Sequence, residues 1–513
     1  MTSWLLELAW TGERLERRLW LEEEEGRIRS LTPMGERPVP RGARVVSGLT
    51  LPGLANAHSH AFHRALRGRQ ERPKERPGDF WSWREGMYEL AGRITPEQLF
   101  HLARATYGEM VLSGITQMGE FHYLHHGADG ARYPGPLMEE ALFAAAEEAG
   151  VRLTLLDTCY LHPGLRGGEL KGPAARFSDG DALSWRRRVE QLPVPSGVIL
   201  GAAIHSVRAL GPEEMVVVRE WAQERGAPLH LHLSEQLAEN RDCQTATGLS
   251  PTELLAELGV LGERTTAVHA IHLSPHDREL LAGTGTTVCA CPRTERDLGD
   301  GICPALELER AGSPLALGSD SQAVIDLFEE ARALELDQRL RRHRRGLHQP
   351  EARLRAATLG GSGALGWDAG ELREGRLADF ISVSLEGPRM AGADLGDPVA
   401  QAVYSAHPAD VRLVVVGGEP VVEAGEHLRL GGVGALLEQS LAELAPRPRS
   451  ATSAGFGPRG SRPAPTWRWS SRRGGSRRSS RPGRRLRRGM TSTAGGSCSP
   501  PGSSTPTCIW RAR

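Results

Sequence analysis

The chain has 513 residues, of which 39% are hydrophobic and 25% are charged, and its formal net charge is zero. This length exceeds one ordinary domain, and the composition is typical of a globular protein with a large core. No segment approaches the roughly 18 uninterrupted apolar residues that a membrane helix needs. The seven cysteines are an odd number without CxxC spacing, which argues against a disulfide framework or a zinc knuckle.

The neutral total conceals two segments of opposite charge. Residues 446–513 hold 16 arginines and no acidic residue, which leaves 47 basic against 63 acidic residues, a formal −16, in residues 1–445. The Arg, Ser, Gly and Pro-rich tail lacks apolar periodicity, so we predict that it is disordered. We favour an accidental extension over a solvated linker or a nucleic-acid-binding tail, and we expect no nucleic-acid or membrane partner. The first residues lack a basic segment typical of a secretory signal, so we expect a cytoplasmic protein.

Residues 3–50 are predicted to form short strands and turns, and a different pattern follows them. Between Leu51 and roughly Arg345, apolar strand candidates alternate with amphipathic segments that begin with capping residues such as Thr95, Ser250 and Ser274, each followed by proline. The eight strand candidates are GLTLPGLANAH, GITQMGEFH, VRLTLLDTCY, GVILGAAIHSV, APLHLHLSE, TTAVHAIH, TTVCACP and PLALGSD. Eight such alternations predict an α/β protein with a (β/α)8 TIM barrel over residues 51–370.

Short strands and turns are predicted again after the barrel, in residues 371–432, where REGRLADFISVSLEG and VRLVVVGGEPVVEAG occur. Neither flank of the barrel is large enough to form a stable domain alone. We therefore predict one small composite β-sandwich domain built from residues 1–50 and 371–435.

Polar side chains are concentrated at the ends of the barrel strand candidates. In a TIM barrel these ends meet at one mouth, where the chemistry is carried out. The residues at or just beyond the predicted strand ends are His58, His60, His122, Tyr123, His205, His230, His232, Glu235, His269, His272 and Asp320. Their joint occurrence indicates an active site at the mouth.

His58 and His60 are two residues apart, so in an extended segment both side chains point to the same face. With His232 from HxHxxE and Asp320 from the eighth strand they supply three imidazoles and a carboxylate. This set suits one divalent ion, most naturally Zn²⁺, with Fe²⁺ as a substitute. His230 competes with His232 as the ligand, and the offset to Glu235 favours His232.

The same pattern predicts three catalytic roles. A catalytic metal keeps one position open for water and lowers the pKa of that water. Asp320 can bind the ion and accept a proton from the water, and His269 can hold the developing oxyanion by a hydrogen bond. Glu235, three residues past His232, can carry a proton to a leaving nitrogen.

The pattern resembles the amidohydrolase superfamily in its single-metal deaminase branch. Relatives with two metals use a carboxylated lysine at the end of the fourth strand. Here that strand ends in His205, and the nearest lysine, Lys171, lies in the loop GGELKGPAARF. The resemblance therefore implies one metal ion.

More specific segments resemble the formimidoylglutamate deiminases over roughly residues 1–435: NAHSHAFHRAL, DFWSWREGMY, GEFHYLHH, HSVRAL, HLHLSEQ, TERDLGDGICPA and LGSDSQAVIDLFEEARALELDQRLR. The resemblance implies hydrolysis of N-formimidoyl-L-glutamate to N-formyl-L-glutamate and ammonia in histidine degradation, with the small dicarboxylate as partner. It also implies a homodimer. Residues implied in substrate binding are Arg84, Arg208, Tyr123, His205 and His63.

Two alternatives to this function remain open. The first keeps the metal and changes the substrate to guanine, an adenosine derivative or a triazine, and the second is a barrel that binds without catalysis. We assign structural hydrogen bonds rather than direct roles to His122, His125 and His126, and we interpret His272 in the same way. The aromatic residues of FWSWREGMY are assigned to packing, with a lid over the mouth as the alternative.

Overall fold

The computed structural model describes residues 2–69 and 80–445, so the predicted tail lies outside the described residues. The chain begins with four strands that belong to one sheet: β1 (Thr2–Trp10), β2 (Leu15–Glu24), β3 (Arg27–Pro33) and β4 (Arg44–Pro52). Strand β1 pairs with β2 in the antiparallel and with β4 in the parallel direction. The N-terminal flank is therefore a β structure, as predicted.

The first predicted barrel strand, GLTLPGLANAH, is two strands in the structure. Strand β4 ends at Pro52 in the flanking sheet, and β5 (Leu54–Ser59) begins the barrel. Between them, Gly53 donates its N–H to the carbonyl of Asp379, and a Cβ placed on Gly53 would lie 2.2 Å from Oγ1 of Thr116. The prediction of one continuous strand was wrong because a proline and a closely packed glycine turn the chain between two sheets.

Eight parallel strands form the barrel, and each pairs with the next in sequence. After β5 they are β6 (Ile115–His122), β7 (Arg152–Cys159), β8 (Val198–Ser206), β9 (Leu229–Leu233), β10 (Thr265–His269), β11 (Thr287–Ala290) and β12 (Leu315–Leu317). A parallel bridge between Ser59 and Asp320 joins the last strand to the first at the C-terminal mouth. The predicted TIM barrel is confirmed.

Helices surround the barrel: α1 (Phe80–Ala91), α2 (Pro96–Leu112), α3 (Leu137–Ala149), α4 (Ala182–Val189), α5 (Pro212–Arg225), α6 (Leu237–Thr247), α7 (Pro251–Glu257), α8 (Pro275–Gly283), α9 (Pro292–Leu298), α10 (Ala305–Ala311), α11 (Leu327–Arg342), α12 (Pro350–Arg355) and α13 (Gly361–Leu365). Thr95, Ser250 and Ser274 cap α2, α7 and α8 through capping boxes, as predicted. Within the described ranges, no helix has the length and apolar character to cross a membrane.

The C-terminal flank completes the sheet begun by β1–β4. It adds β13 (Phe380–Val383), β14 (Val411–Val416), β15 (Glu419–Glu423) and β16 (Glu426–His427), and the strand order is β16-β15-β14-β13-β4-β1-β2-β3. The rings of Trp4 and Phe380, one from each end of the chain, pack edge to face at 5.2 Å. The composite β domain is confirmed, and its strands are hydrogen-bonded into one mixed sheet. The residue boundaries given for the domains stay predictions.

Two helices in the C-terminal flank were not predicted. Helix α14 (Pro398–Ser405) interrupts the strands, and α15 (Val433–Glu443) follows them. Val433 and Leu437 of α15 are buried against Ala105 of α2. The flank therefore also contributes to the helical layer around the barrel.

Candidate active site

Four side chains converge where β5, β9 and β12 end, and we call His58, His60, His232 and Asp320 the central cluster. Nε2 of His232 lies 3.2 Å from Nε2 of His58. Oδ1 of Asp320 lies 3.4 Å from Nε2 of both His58 and His60. Sequence positions 58 and 320 thus meet in space because the barrel closes between β5 and β12.

The central cluster fits a divalent metal by the chemistry of its donor atoms. Nδ1 of His60 bonds to the carbonyl of Phe121 at 2.9 Å, and Nδ1 of His232 bonds to that of His205 at 2.8 Å. Each ring must donate from Nδ1, which leaves the Nε2 lone pair to face the cluster. Ligand atoms about 2.0–2.2 Å from a tetrahedral zinc ion lie roughly 3.3–3.6 Å apart. The observed separations of 3.2–3.4 Å are close to that spacing.

Burial prepares these groups for metal binding. It lowers the pKa of His58, His60 and His232, so the three imidazoles are neutral. Burial would raise the pKa of Asp320, but its hydrogen bond to His58 and the neighbouring histidines hold it below the ordinary value. Neutral imidazoles and an ionised carboxylate are the protonation states that ligate a cation.

His230 does not join the central cluster. Its Nε2 donates to the carbonyl of Ala364 at 2.9 Å, and burial lowers its pKa to about 3. Both His230 and His232 lie on β9, two residues apart, but only His232 is at the mouth. The preference for His232 over His230 agrees with this placement.

The residues predicted to be catalytic surround the same point. Nε2 of His269 lies 3.7 Å from Oε1 of Glu235 and 3.8 Å from Oδ2 of Asp320. Nδ1 of His269 lies 3.4 Å from Oε1 of Glu295. Burial opposes a charge on His269, but Glu235 and the hydrogen bond to Glu295 raise its pKa to about 10. The sequence analysis did not assign a role to Glu295, which lies in the segment TERDLGDGICPA.

His269 and Asp320 also share an unusual backbone conformation. Their φ angles are 70° and 42°, in the left-handed region that residues with a side chain seldom adopt. Such strain persists where the surrounding structure holds it, and functional sites often contain it. Both side chains are thereby directed from the strand ends to the centre of the mouth.

One cavity connects the central cluster with the residues implied in substrate binding. His60, His232, Asp320, Glu235 and His269 line it together with Arg84, Arg208, Tyr123, His205 and His63. We call it the substrate cavity. The structure thus brings all five implied residues to the predicted mouth.

Arg208 is held between two carboxylates. Its Nη2 donates to Oε2 of Glu235 at 2.9 Å, and its Nε lies 3.4 Å from Oε2 of Glu239. Burial would lower the pKa of Arg208, and the two glutamates raise it, so the guanidinium stays charged. Sequence reasoning did not find Glu239, which lies on α6 one turn past Glu235.

Three further residues implied by the resemblance line the wall of the substrate cavity. Nε2 of His63 lies 3.0 Å from the hydroxyl of Tyr123, and burial lowers the pKa of His63 to about 3. The ring of His205 lies 3.8 Å from the ring of Tyr160, and burial and the neighbouring arginines lower the pKa of His205. Tyr160 directly follows β7 and was also missed from the sequence. These rings make the wall rigid and largely uncharged.

A second group of polar and charged residues lies beside the mouth, and we call it the rim cluster. Its members are His122, His125, His126, Glu139, Asp157, Asp179 and Arg188. Arg188 donates to all three carboxylates over 2.8–3.1 Å. His125 contacts Glu139 at 3.0 Å and the carbonyl of Thr158 at 2.9 Å. The contacts of His125, and that of His126 with Asp179 at 3.0 Å, agree with the structural hydrogen bonds predicted for them, whereas Nε2 of His122 has no hydrogen-bond partner among the described residues.

Comparisons with known proteins agree with this geometry. The sequence profile of the amidohydrolase family matches residues 49–421. Two curated relatives are a formimidoylglutamate deiminase of Pseudomonas aeruginosa, 36% identical over 75% of this chain and 87% of the relative, and an 8-oxoguanine deaminase of the same organism, 32% identical over 84% and 93%. A solved amidohydrolase from Brucella melitensis has a TM-score of 0.80 and 33% identity, and the match covers 86% of this chain and all of that one.

The chain belongs to the amidohydrolase family. It is a hydrolase that acts on a carbon–nitrogen bond, and the reaction class supported by its relatives is hydrolytic deamination. The resemblance drawn from NAHSHAFHRAL, HLHLSEQ and the other segments is confirmed.

Proposed function

We propose that the protein hydrolyses N-formimidoyl-L-glutamate to N-formyl-L-glutamate and ammonia, with one divalent ion, zinc in the first instance, held by the central cluster. The observation that supports this substrate is the presence of two arginines, Arg84 and Arg208, in the cavity that the central cluster lines. A guanidinium matches a carboxylate bidentately, and Arg84, which has no carboxylate within 4.0 Å among the described residues, has its charge available for a carboxylate of the ligand. The relative with 36% identity acts, by its name, on the same compound.

The reaction adds one water to the amidine carbon and breaks a carbon–nitrogen bond. The water oxygen becomes the formyl oxygen, and both water hydrogens leave with the nitrogen as ammonia. A divalent ion, when bound by His58, His60, His232 and Asp320, supplies a water of lowered pKa. Every other step falls to side chains of the chain itself.

Three side chains move or hold protons in this scheme. Asp320 accepts the first proton at Oδ2, which faces Nε2 of His269 at 3.8 Å. His269, whose pKa is raised to about 10, donates a hydrogen bond from Nε2 to the developing oxyanion. Glu235 has Oε1 near His269 and Oε2 on Arg208, so it is placed to deliver a proton to the leaving nitrogen.

A second candidate substrate is a flat aromatic base. The rings of Phe80, Trp83, Tyr123 and Tyr160 line the substrate cavity and offer stacking surfaces. The similarity to an 8-oxoguanine deaminase favours this alternative over other ring substrates. A neutral ring would leave the charge of Arg84 without a partner, which is why the dicarboxylate is preferred.

The test is ammonia release by purified, metal-analysed protein from N-formimidoyl-L-glutamate, with guanine and 8-oxoguanine as comparisons. Arg84→Ala is the cleaner variant, since Arg208→Ala also frees Glu235. We expect a loss of kcat/KM of about 100-fold or more for Arg84→Ala, because a hydrogen-bonded charge pair is removed. Arg389→Ala, on the β domain, is the matched control. If both cavity variants keep full turnover, the glutamate assignment is wrong.

The homodimer and the cytoplasmic location stay predictions.

A further inference from the structure

The two arginines of the substrate cavity have different neighbours. Arg208 is paired with carboxylates, whereas Arg84 donates from Nε to the hydroxyl of Tyr88 at 2.6 Å and from Nη2 to the hydroxyl of Tyr160 at 3.1 Å. Within residues 2–69 and 80–445, no carboxylate oxygen lies within 4.0 Å of a side-chain nitrogen of Arg84. The charge of Arg84 is therefore available to a ligand.

The hydroxyls of Tyr88 and Tyr160 provide a second free donor. The oxygens of Tyr88 and Tyr160 are 2.9 Å apart, so one hydroxyl donates to the other, and both accept from Arg84. Each hydroxyl carries one hydrogen. Only one of the two hydrogens lies between the oxygens, and the other has no acceptor in the part of the chain that the structure describes.

The position of the free hydrogen depends on which of the two hydroxyls donates to the other. Tyr160 lines the substrate cavity and Tyr88 does not. Burial and the neighbouring Tyr160 raise the pKa of Tyr88, so its hydroxyl stays neutral and able to donate. When Tyr88 donates to Tyr160, the hydrogen of Tyr160 is directed into the cavity beside the guanidinium of Arg84.

We propose that Tyr160 is a specificity-determining residue, whose hydroxyl donates to the same substrate carboxylate that Arg84 binds. This inference rests on the proposed function for the identity of the substrate. A guanidinium and a phenol side by side offer one carboxylate donors from two directions, which a neutral ring edge would not satisfy.

Tyr160 is held in place by its ring. It is buried, stacks on Phe177 with centroids 5.4 Å apart, and lies 3.8 Å from the ring of His205. The hydroxyl position therefore does not depend on the ligand. A donor that is already held in place loses less conformational entropy when the ligand binds. Because the ring contacts do not involve the hydroxyl, phenylalanine can replace the tyrosine with little change in packing.

The test compares Tyr160→Phe with a matched control. In Tyr404→Phe a hydroxyl that also accepts from an arginine, Arg339 at 3.2 Å, is removed outside the cavity. We expect Tyr160→Phe to raise KM for N-formimidoyl-L-glutamate roughly 10-fold to 100-fold, with kcat nearly unchanged, as a lost hydrogen bond to a charged group does. Tyr404→Phe leaves both constants unchanged. An unchanged KM in Tyr160→Phe overturns the proposal.

Truncated substrates separate carboxylate binding from a general effect on the site. N-formimidoyl-4-aminobutanoate and N-formimidoyl-2-aminobutanoate each lack one of the two carboxylates. With one of these compounds, Arg84→Ala and Tyr160→Phe should both have the same KM as the native protein, because the carboxylate that Arg84 and Tyr160 bind is absent. A Tyr160→Phe penalty that persists on both compounds, or that vanishes on a different compound from that of Arg84→Ala, overturns the proposal.

Glutarate binding distinguishes failure of this inference from failure of the proposed function. If the native protein releases no ammonia from N-formimidoyl-L-glutamate, the proposed function fails. Calorimetry with glutarate then decides the role of Tyr160. A Kd for glutarate that Tyr160→Phe weakens about tenfold supports the carboxylate contact. An equal Kd in both proteins, or no binding to the native protein, overturns it.

Discussion

The central cluster and the rim cluster lie at the same end of the barrel and have similar compositions, but their nitrogen atoms have different partners. In the central cluster the Nδ1 atoms of His60 and His232 donate to backbone carbonyls. The Nε2 atoms of His58 and His232 lie 3.2 Å apart. In the rim cluster both ring nitrogens of His125 already contact oxygen atoms. His60 and His232 therefore keep an Nε2 lone pair for a cation, whereas His125 has no nitrogen left for one.

The two clusters also differ in whether a protein cation neutralises their carboxylates. Arg188 fills the space between the three carboxylates of the rim cluster, and those carboxylates raise its pKa in spite of burial. Among the described residues, no arginine or lysine lies within 4.0 Å of a carboxylate oxygen of Asp320. A protein cation therefore occupies the rim cluster, whereas the central cluster is complementary to a metal cation.

The largest effect is expected in the central cluster. Asp320→Asn removes a ligand charge and the proposed proton acceptor together, so we expect kcat for ammonia release to fall about 1000-fold or more, since each of those roles alone contributes a large factor. Elemental analysis should show less than one metal ion per chain. Asp179→Asn, a buried aspartate of the rim cluster, should keep its metal. Full metal content and activity within tenfold in Asp320→Asn would contradict the assignment.

Glu139→Gln tests the rim cluster by the same measurements. It leaves Arg188 and His125 without one of their carboxylates, and breaking a buried ion pair costs about 3 kcal/mol. We expect the free energy of unfolding in urea to fall by that amount, while the metal stoichiometry stays the same as in the native protein. A drop in metal content for Glu139→Gln would mean that the rim cluster also binds an ion.

The sequence predicted the barrel and the central cluster because both are encoded locally. Most of the predicted barrel strands are apolar runs with a polar residue at or just beyond the end, and the two-residue spacing of His58 and His60 fixes their common face. The turn was missed although Pro52 and Gly53 are turn signals, because the sequence does not show that β4 and β5 belong to different sheets. Helix α14 was missed because eight residues are too few to show a clear helical period.

The rest of the site depends on contacts between distant parts of the chain. Arg188 lies on α4 and reaches Glu139 of α3 and Asp157 of β7, and nothing in its local sequence indicates this position. Tyr160 looks like the last residue of an apolar strand until Arg84 of α1 is seen beside it. Histidines at strand ends could be located from sequence, but their partners could not.

A pH dependence of stability is expected from the rim cluster. Burial and Arg188 lower the pKa of His125, but Asp157 and Glu139 outweigh them and raise it. A histidine whose pKa is raised in the folded state stabilises the fold fully below its ordinary pKa of about 6.5. That contribution is lost as the pH rises through the pKa of the folded state. The free energy of unfolding should therefore decline above that pH, with a slope of at most about 1.4 kcal/mol per pH unit. In His125→Asn the free energy of unfolding should depend less steeply on pH. Equal slopes in the native protein and the variant would show that His125 is not protonated in the folded state.

The smallest effect is expected at His122, the rim residue that most resembles a metal ligand. Its Nε2 is buried without a hydrogen-bond partner, 3.5 Å from Oε1 of Glu139, and burial lowers its pKa. Because the imidazole makes no hydrogen bond at Nε2, His122→Phe removes little and should change the free energy of unfolding by less than about 1 kcal/mol. Metal content and ammonia release should match those of the native protein. A loss of metal from this variant would show that His122 takes part in holding an ion.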